Sequence, residues 1–219
     1  MVARFDLVIF DNDGVLVDSE PIANRCLAEL LAEYGLDVDW HDCVERYLGS
    51  TLGRVRDLVE ADLGRPIPAD FEDRYRSTVY PILAAEVEAV PGVASALDQL
   101  AATDTVTCVA SSGLHQRIRL TLDRAGLRDR FADEQLFSAE DVGVGKPAPD
   151  LFLHAASVLG VDPARCAVIE DAPAGIEAAH AAGMTVFGYA ALTPVRFIAN
   201  ANGGVFFDMA TLPDLLVGS

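Results

Sequence analysis

Two aspartates set the chemistry that this chain can attempt. Asp11 and Asp13 stand two residues apart, directly after the apolar run Phe5, Leu7, Val8, Ile9 and Phe10, and Gly14 follows them. Such a run is the pattern of a strand buried on both faces of a parallel sheet. Acids at its carboxyl end fall where that kind of sheet opens its ligand crevice. Gly14 lets the backbone turn tightly, so both carboxyls can point into one small space. An acid pair so placed suits metal binding or covalent chemistry. The plainer alternative is a polar turn in which Asp13-Gly14 only reverses the chain.

Three further polar clusters sit at or near predicted strand ends. Ser111-Ser112-Gly113 precedes a helix, where a hydroxyl and free first-turn amides form an anion cradle or, more simply, an N-cap. Lys146 lies in the stiff loop Gly143-Val144-Gly145-Lys146-Pro147-Ala148-Pro149-Asp150 and is the one lysine beside fifteen arginines. Prolines fix that loop, which lacks Walker spacing; the lysine is either held for a task or a solvated surface charge. Glu170-Asp171 ends a third apolar run, and Asp171 could also cap the helix opened by Pro173. Four carboxylates facing one crevice repel unless a cation joins them, and Mg²⁺ with its preference for hard oxygen ligands fits.

The elements that position these groups follow from periodicity. Apolar residues recur at helical spacing over 20–34, with further helices at 40–48, 51–63 and 69–86 and no convincing strand between 20 and 90. That stretch is too long for an ordinary crossover, so residues 18–86 read as an inserted helical module. From Val90-Pro91-Gly92 onward helices alternate with strands: helix 92–102, strand 105–110, helix 113–125, strand 135–138, helix 148–159, strand 166–170, helix 173–182, strand 184–189 and strand 204–207. The expected fold is α/β, a doubly wound, mostly parallel Rossmann-like sheet with an all-helical insertion. Its two parts would be 1–17 with 87–219, and 18–86.

Composition narrows the partners. A net charge of −18 argues against nucleic acid or an anionic membrane surface. Charge interrupts every apolar run well short of the roughly 20 residues that span a bilayer, and no secretory signal is visible, so a cytoplasmic location is expected. Cys26, Cys43, Cys108 and Cys166 are widely spaced and read as buried free thiols. The four histidines fall in no metal or triad motif.

Taken together, D-x-D-G-x-L-x-D-S-E, V-A-S-S-G, G-K-P-x-P-D and E-D-x-x-x-G-I-x-A-A with a helical insertion after the first resemble the haloacid dehalogenase-like superfamily. The resemblance covers essentially the whole chain and lies in the helical-cap branch of sugar phosphatases and β-phosphoglucomutases, nearest in cap length and D-S-E start to the 6-phosphogluconate-phosphatase type. It implies that Asp11 attacks phosphorus to form an aspartyl-phosphate. Asp13 would protonate the leaving oxygen and then activate water, which calls for an environment that keeps it protonated, such as burial under a closed cap. Mg²⁺ would be held by the Asp11 carboxylate, the Asp13 carbonyl and Asp171, with Glu170 at or just beyond that shell. Ser111, the Ser112 and Gly14 backbone and Lys146 would hold the phosphoryl oxygens.

The implied activity is hydrolysis of a small sugar phosphate or sugar-acid phosphate by a monomer or weak homo-oligomer, with residues 18–86 as the cap that selects substrate. Arg54, after the Gly-punctuated turn 48–53, is a candidate for a second anionic group; Glu20 and Asn24 are candidates for sugar hydroxyls. Two departures stand out: Ala172 replaces a frequent serine, and Asn12 lies between the aspartates, where it would support the strand end. Mutase relatives carry a histidine in the first cap helix and a cap lysine; here position 23 is Ala and the cap has no lysine. A receiver-like phosphoacceptor would be near 120 residues without the insertion, and a non-catalytic relative would have lost Asp11 or Asp13.

Overall fold

The computed structural model describes residues 4–47 and 50–216. Strand β1 (Leu7–Phe10) leads into four helices in succession: α1 (Glu20–Glu33), α2 (Trp40–Tyr47), α3 (Leu52–Leu63) and α4 (Phe71–Glu86). Helix α5 (Val93–Ala101) then opens the alternating part. It continues through β2 (Val106–Ser111), α6 (His115–Arg124), β3 (Leu136–Ser138), α7 (Asp150–Val158), β4 (Cys166–Glu170), α8 (Pro173–Ala181) and β5 (Thr185–Tyr189), and ends with α9 (Val195–Ile198), β6 (Gly204–Phe206) and α10 (Leu212–Leu216). Strand boundaries move by a residue or so from the sequence expectation, and the short helices α9 and α10 were not expected.

The sheet has the order β3-β2-β1-β4-β5-β6, with every pair parallel. Strand order therefore reverses beside β1, between β2 and β4, and ligands bind at such a switch point, beyond the carboxyl ends of the strands. Side chains of β1 alternate between two apolar layers. Leu7 and Ile9 join Cys108, Val168 and the inner faces of α7 and α8, while Val8 and Phe10 join Val109, Ile169 and Ile118. Helix α8 lies close on the sheet because Gly175, Ala178 and Ala179 bring little side chain to the contact.

Helices α1–α4 occupy a single long excursion between β1 and α5. The chain leaves and returns side by side: Asp18 donates its N–H to Glu88 O at 2.9 Å and Val90 to Leu16 O at 3.0 Å. Local signals set the helix ends. Pro21 sits in the first turn of α1, the Thr51 hydroxyl accepts from Arg54 N at the start of α3, and Gly64 takes a left-handed conformation at its end. Helix α4 packs on α1 and on α6, which joins the excursion to the sheet layer.

Candidate active site

Asp11 follows β1 directly and donates its backbone N–H to Ile169 O on β4, so its carboxyl emerges at the switch point. Lys146 reaches the same place from the loop before α7. Its ammonium donates to Asp11 Oδ1 at 2.6 Å, Glu170 Oε1 at 2.6 Å and the Ala110 carbonyl at 3.0 Å. That uses all three protons, and the side chain is buried. The surface-lysine alternative therefore fails. Burial lowers the Lys146 pKa, but the two carboxylates outweigh it and hold the group charged.

Glu170 is equally engaged. Its second oxygen accepts from the backbone N–H of Asp171 (3.0 Å) and Ala172 (3.1 Å), and a Cβ on Gly175 would strike its carboxylate. Asp171 does not cap α8, whose N-cap is Ala172. Instead Asp171 turns toward β1 and lies so near Gly14, at φ +79°, that a Cβ there would sit 2.1 Å from its Oδ2. Gly14 is needed for this approach. Its amide, expected among the phosphate contacts, donates to Val17 O at 2.9 Å and is spent on the turn.

Asp11, Glu170 and Asp171 each bring a carboxylate oxygen within 4.8 Å of the others, and all three are buried. One lysine cannot balance three acids. Burial pushes the Asp11 carboxyl up to about 7 against the pull of Lys146, and burial with Glu170 and Glu20 raises Asp171 well above the carboxylate range. A buried all-oxygen set with surplus negative charge is what a hard divalent cation such as Mg²⁺ requires, so these residues fit one.

Asp13 differs from its expected state. Burial works to raise its pKa, yet the net shift is downward, because Arg117 clamps both carboxylate oxygens (2.7–3.2 Å) and Ser19 donates to Oδ1 at 2.6 Å. The environment keeps Asp13 ionised rather than protonated. Arg117, inside α6, is the residue that the sequence reading missed. A signal existed: it lies one turn before Thr121, beside the buried Ile118 and Leu122, where a cation needs a partner. Asn12 supports the strand end as expected, donating to Thr121 Oγ1 at 3.1 Å while fully buried.

Ser111 ends β2, and its hydroxyl accepts from Gly113 N at 3.0 Å; the N-cap of α6 is Leu114, so the serines do not cap the helix. His115, given no chemistry from sequence, braces the neighbourhood: its ring pairs with Asp141 at 2.8 Å and its N–H donates to Glu140. Ser111, Ser112, Lys146 and the acids line a cavity of about 430 Å³ whose other wall is the excursion, including Glu20, Asn24, Tyr75, Tyr80 and Arg76. Arg54 is exposed on α3 and does not line it. Of the turn 48–53, Leu48 and Gly49 lie outside the described residues. Thr51 comes close to the lysine loop at Gly145, so the α3 end overhangs the site. The four cysteines are buried and unpaired. Among the described residues, no helix is long and apolar enough to cross a membrane.

The chain as a whole is similar to known proteins. The haloacid dehalogenase-like hydrolase family matches residues 5–183. The chain is 30% identical to 6-phosphogluconate phosphatase of Escherichia coli (strain K12), over 98% of this chain and 96% of that one. It is 31% identical to hexitol phosphatase B of the same strain, over 80% and 79%. Among solved structures, a conserved haloacid dehalogenase-like protein from Agrobacterium tumefaciens superposes with a TM-score of 0.84 at 36% identity, covering 96% and 97%. By family match and by relatives spanning nearly its whole length, the chain belongs to the haloacid dehalogenase-like hydrolases.

Proposed function

We propose that this hydrolase is a Mg²⁺-dependent phosphatase of a small sugar phosphate or sugar-acid phosphate, acting through an aspartyl-phosphate on Asp11. The observation that carries the reading is the convergence of Asp11, Lys146, Glu170 and Asp171 at one strand-end switch point, with Asp13 beside them on the cavity wall. Residues 18–86 serve as the cap over that cavity. Its volume, about 430 Å³, suits a small phosphorylated molecule.

Asp11 carries the nucleophilic oxygen, and a carboxylate is a weak nucleophile, so alignment and charge neutralisation supply most of the rate. Lys146 holds Asp11 in place and offers positive charge to the phosphoryl oxygens, with Ser111 and Ser112 on the same side. The Asp11 and Asp171 carboxylates and the Asp13 carbonyl would hold Mg²⁺, with Glu170, already bound to Lys146 and two amides, placed to orient them. When bound, Mg²⁺ supplies charge neutralisation at the transferring phosphoryl group.

The ionised Asp13 favours the second half of the cycle, in which it takes a proton from the water that attacks the aspartyl-phosphate. The first half needs Asp13 to donate, so its pair with Arg117 must loosen as substrate enters. The mutase alternative is not favoured: position 23 is Ala and residues 18–86 hold no lysine. Phosphate release from a panel of sugar phosphates, with and without Mg²⁺, tests the reading. Turnover that requires Mg²⁺ is expected; turnover unaffected by chelation would remove the metal from the account.

A further inference from the structure

The loop that presents Ser111 and Ser112 to the cavity is held from behind by four residues that do not line it: His115, Ser138, Glu140 and Asp141. Ser138, at the end of β3, donates its hydroxyl to the Gly113 carbonyl at 2.7 Å. Glu140 accepts the His115 backbone N–H at 2.8 Å, and its own N–H donates to Ser138 Oγ at 3.1 Å. Asp141 accepts the Ser138 N–H on one oxygen and meets the His115 ring Nε2 with the other, both at 2.8 Å.

The Asp141 carboxylate decides the direction of the ring contact. Burial works to raise its pKa, but the Ser138 N–H and the His115 ring outweigh that and hold it below its usual range, so it is an acceptor. The His115 nitrogen that faces it must then carry the proton, as Nε2–H. Nδ1 is buried without a partner among the described residues, which leaves the bond to Asp141 as the polar task of this ring. The bonds close on themselves, from Gly113 to Ser138, to Asp141, to His115, and back to Gly113 along the chain. Gly113 in turn donates its N–H to Ser111 Oγ at 3.0 Å, which orients that hydroxyl and leaves its proton for a ligand. Ser112 takes no part in these bonds, and its amide is left to the cavity that it lines. The same segment runs on to Lys146, five residues after Asp141, and a Cβ on Gly145 would sit in contact with Ser112, 3.8 Å from its Oγ.

We propose that His115, through Asp141 and Ser138, is a positioning residue that holds the Ser111–Gly113 loop in register with the lysine loop for the phosphoryl group, a role that rests on the phosphatase reading above. His115 acts on substrate only through Gly113 and Ser111. Donors aimed at a phosphoryl group are effective because they are fixed before reaction, so a loop that drifts loses rate while the fold persists.

Three single variants, assayed with Mg²⁺ present, test this. His115→Phe keeps a ring and loses the bond to Asp141. Its kcat/KM should fall by about tenfold or more for every ester that the unaltered protein hydrolyses, 4-nitrophenyl phosphate included, and by one common factor, because the leaving group is not involved. Inhibition by orthophosphate should weaken by about threefold or more. His115→Gln, whose side-chain NH₂ can reach Asp141, should recover most of the loss, and Ser138→Ala should repeat it at about threefold. A loss confined to one ester, an unchanged orthophosphate Ki, or a Gln variant as poor as Phe at the same melting temperature would overturn the proposal. Should His115→Phe fail to fold, Ser138→Ala decides, and unchanged kcat/KM and Ki there overturn it. If the variants match the unaltered protein, the brace falls and the phosphatase reading stands; if the unaltered protein hydrolyses no ester, both fall.

Discussion

The two walls of the cavity hold their charges in opposite ways. On the sheet side, Lys146, Asp11 and Glu170 are buried and joined by short hydrogen bonds, each set at or next to a strand end or in a proline-stiffened loop. On the cap side, Arg76 pairs with Glu72 one turn away along α4, and both side chains are about one-third exposed. The sheet side is a fixed instrument, because moving one member strands its partners in a dry site. The cap side can change its pairing at little cost, since partly exposed pairs contribute little and water can replace either partner. On the proposed reading, chemistry falls where geometry is rigid, and selection where a few side chains can be exchanged.

Removing one cation from each wall should expose that difference. Lys146→Met leaves Asp11 and Glu170 buried without a counter-charge and should destabilise the metal-free protein by about 3–5 kcal/mol in urea unfolding. Arg76→Gln belongs at the other end of the scale, within about 1 kcal/mol, and its effect should appear in the substrate profile instead. Equal losses for the two variants would erase the contrast.

Between those extremes lies a pH effect led by the sheet side, to which Glu20, raised by burial and by Asp13, adds from the other wall. Asp11, pushed up to about 7, and Asp171, raised well above its ordinary value, bind protons more tightly in the folded chain than in the unfolded one. Their protonated forms favour folding, so metal-free stability should fall as pH rises from about 4 through 7 and beyond. Asp13 is shifted downward, so its contribution is complete above about pH 4 and adds no slope in this window. Mg²⁺ binds the ionised acids and should cancel the loss. Melting temperatures with chelator and with Mg²⁺ should diverge as pH rises from about 5.5 to 8, by roughly 3–6 °C at the upper end. Parallel curves would mean that these acids are not where the cation binds.

The sheet side was also the more legible in sequence, for a physical reason. A carboxylate that ends a greasy strand, or a lone lysine between prolines, has few ordinary explanations, so Asp11, Lys146, Glu170 and Asp171 could be picked out by type and place. Arg117 was easy to pass over, because an arginine within an amphipathic helix is commonplace and its one signal, the apolar neighbours Ile118 and Leu122, gains meaning only when the fold turns it inward onto Asp13. The same cause misplaces Asp13 itself: two residues after Asp11 it read as an acid kept protonated, and the partner that ionises it lies more than a hundred positions away. Arg54 erred in the other direction. Its turn is well formed, with Thr51 capping α3, but the helix directs that arginine to solvent. Helices α9 and α10 are too short for periodicity to separate helix from turn, whereas the equally short β6 reads as strand 204–207.

In the proposed mechanism Asp11 carries the phosphoryl group in transit. Acid quenching during turnover, followed by peptide mass analysis, tests it most directly, with Asp11→Asn as the control. A hydroxylamine-labile phosphoryl adduct is expected on the peptide that contains Asp11 and should be absent in Asp11→Asn, whose turnover should fall by about 10⁴-fold or more. Full activity in Asp11→Asn, or an adduct on another residue, would contradict it.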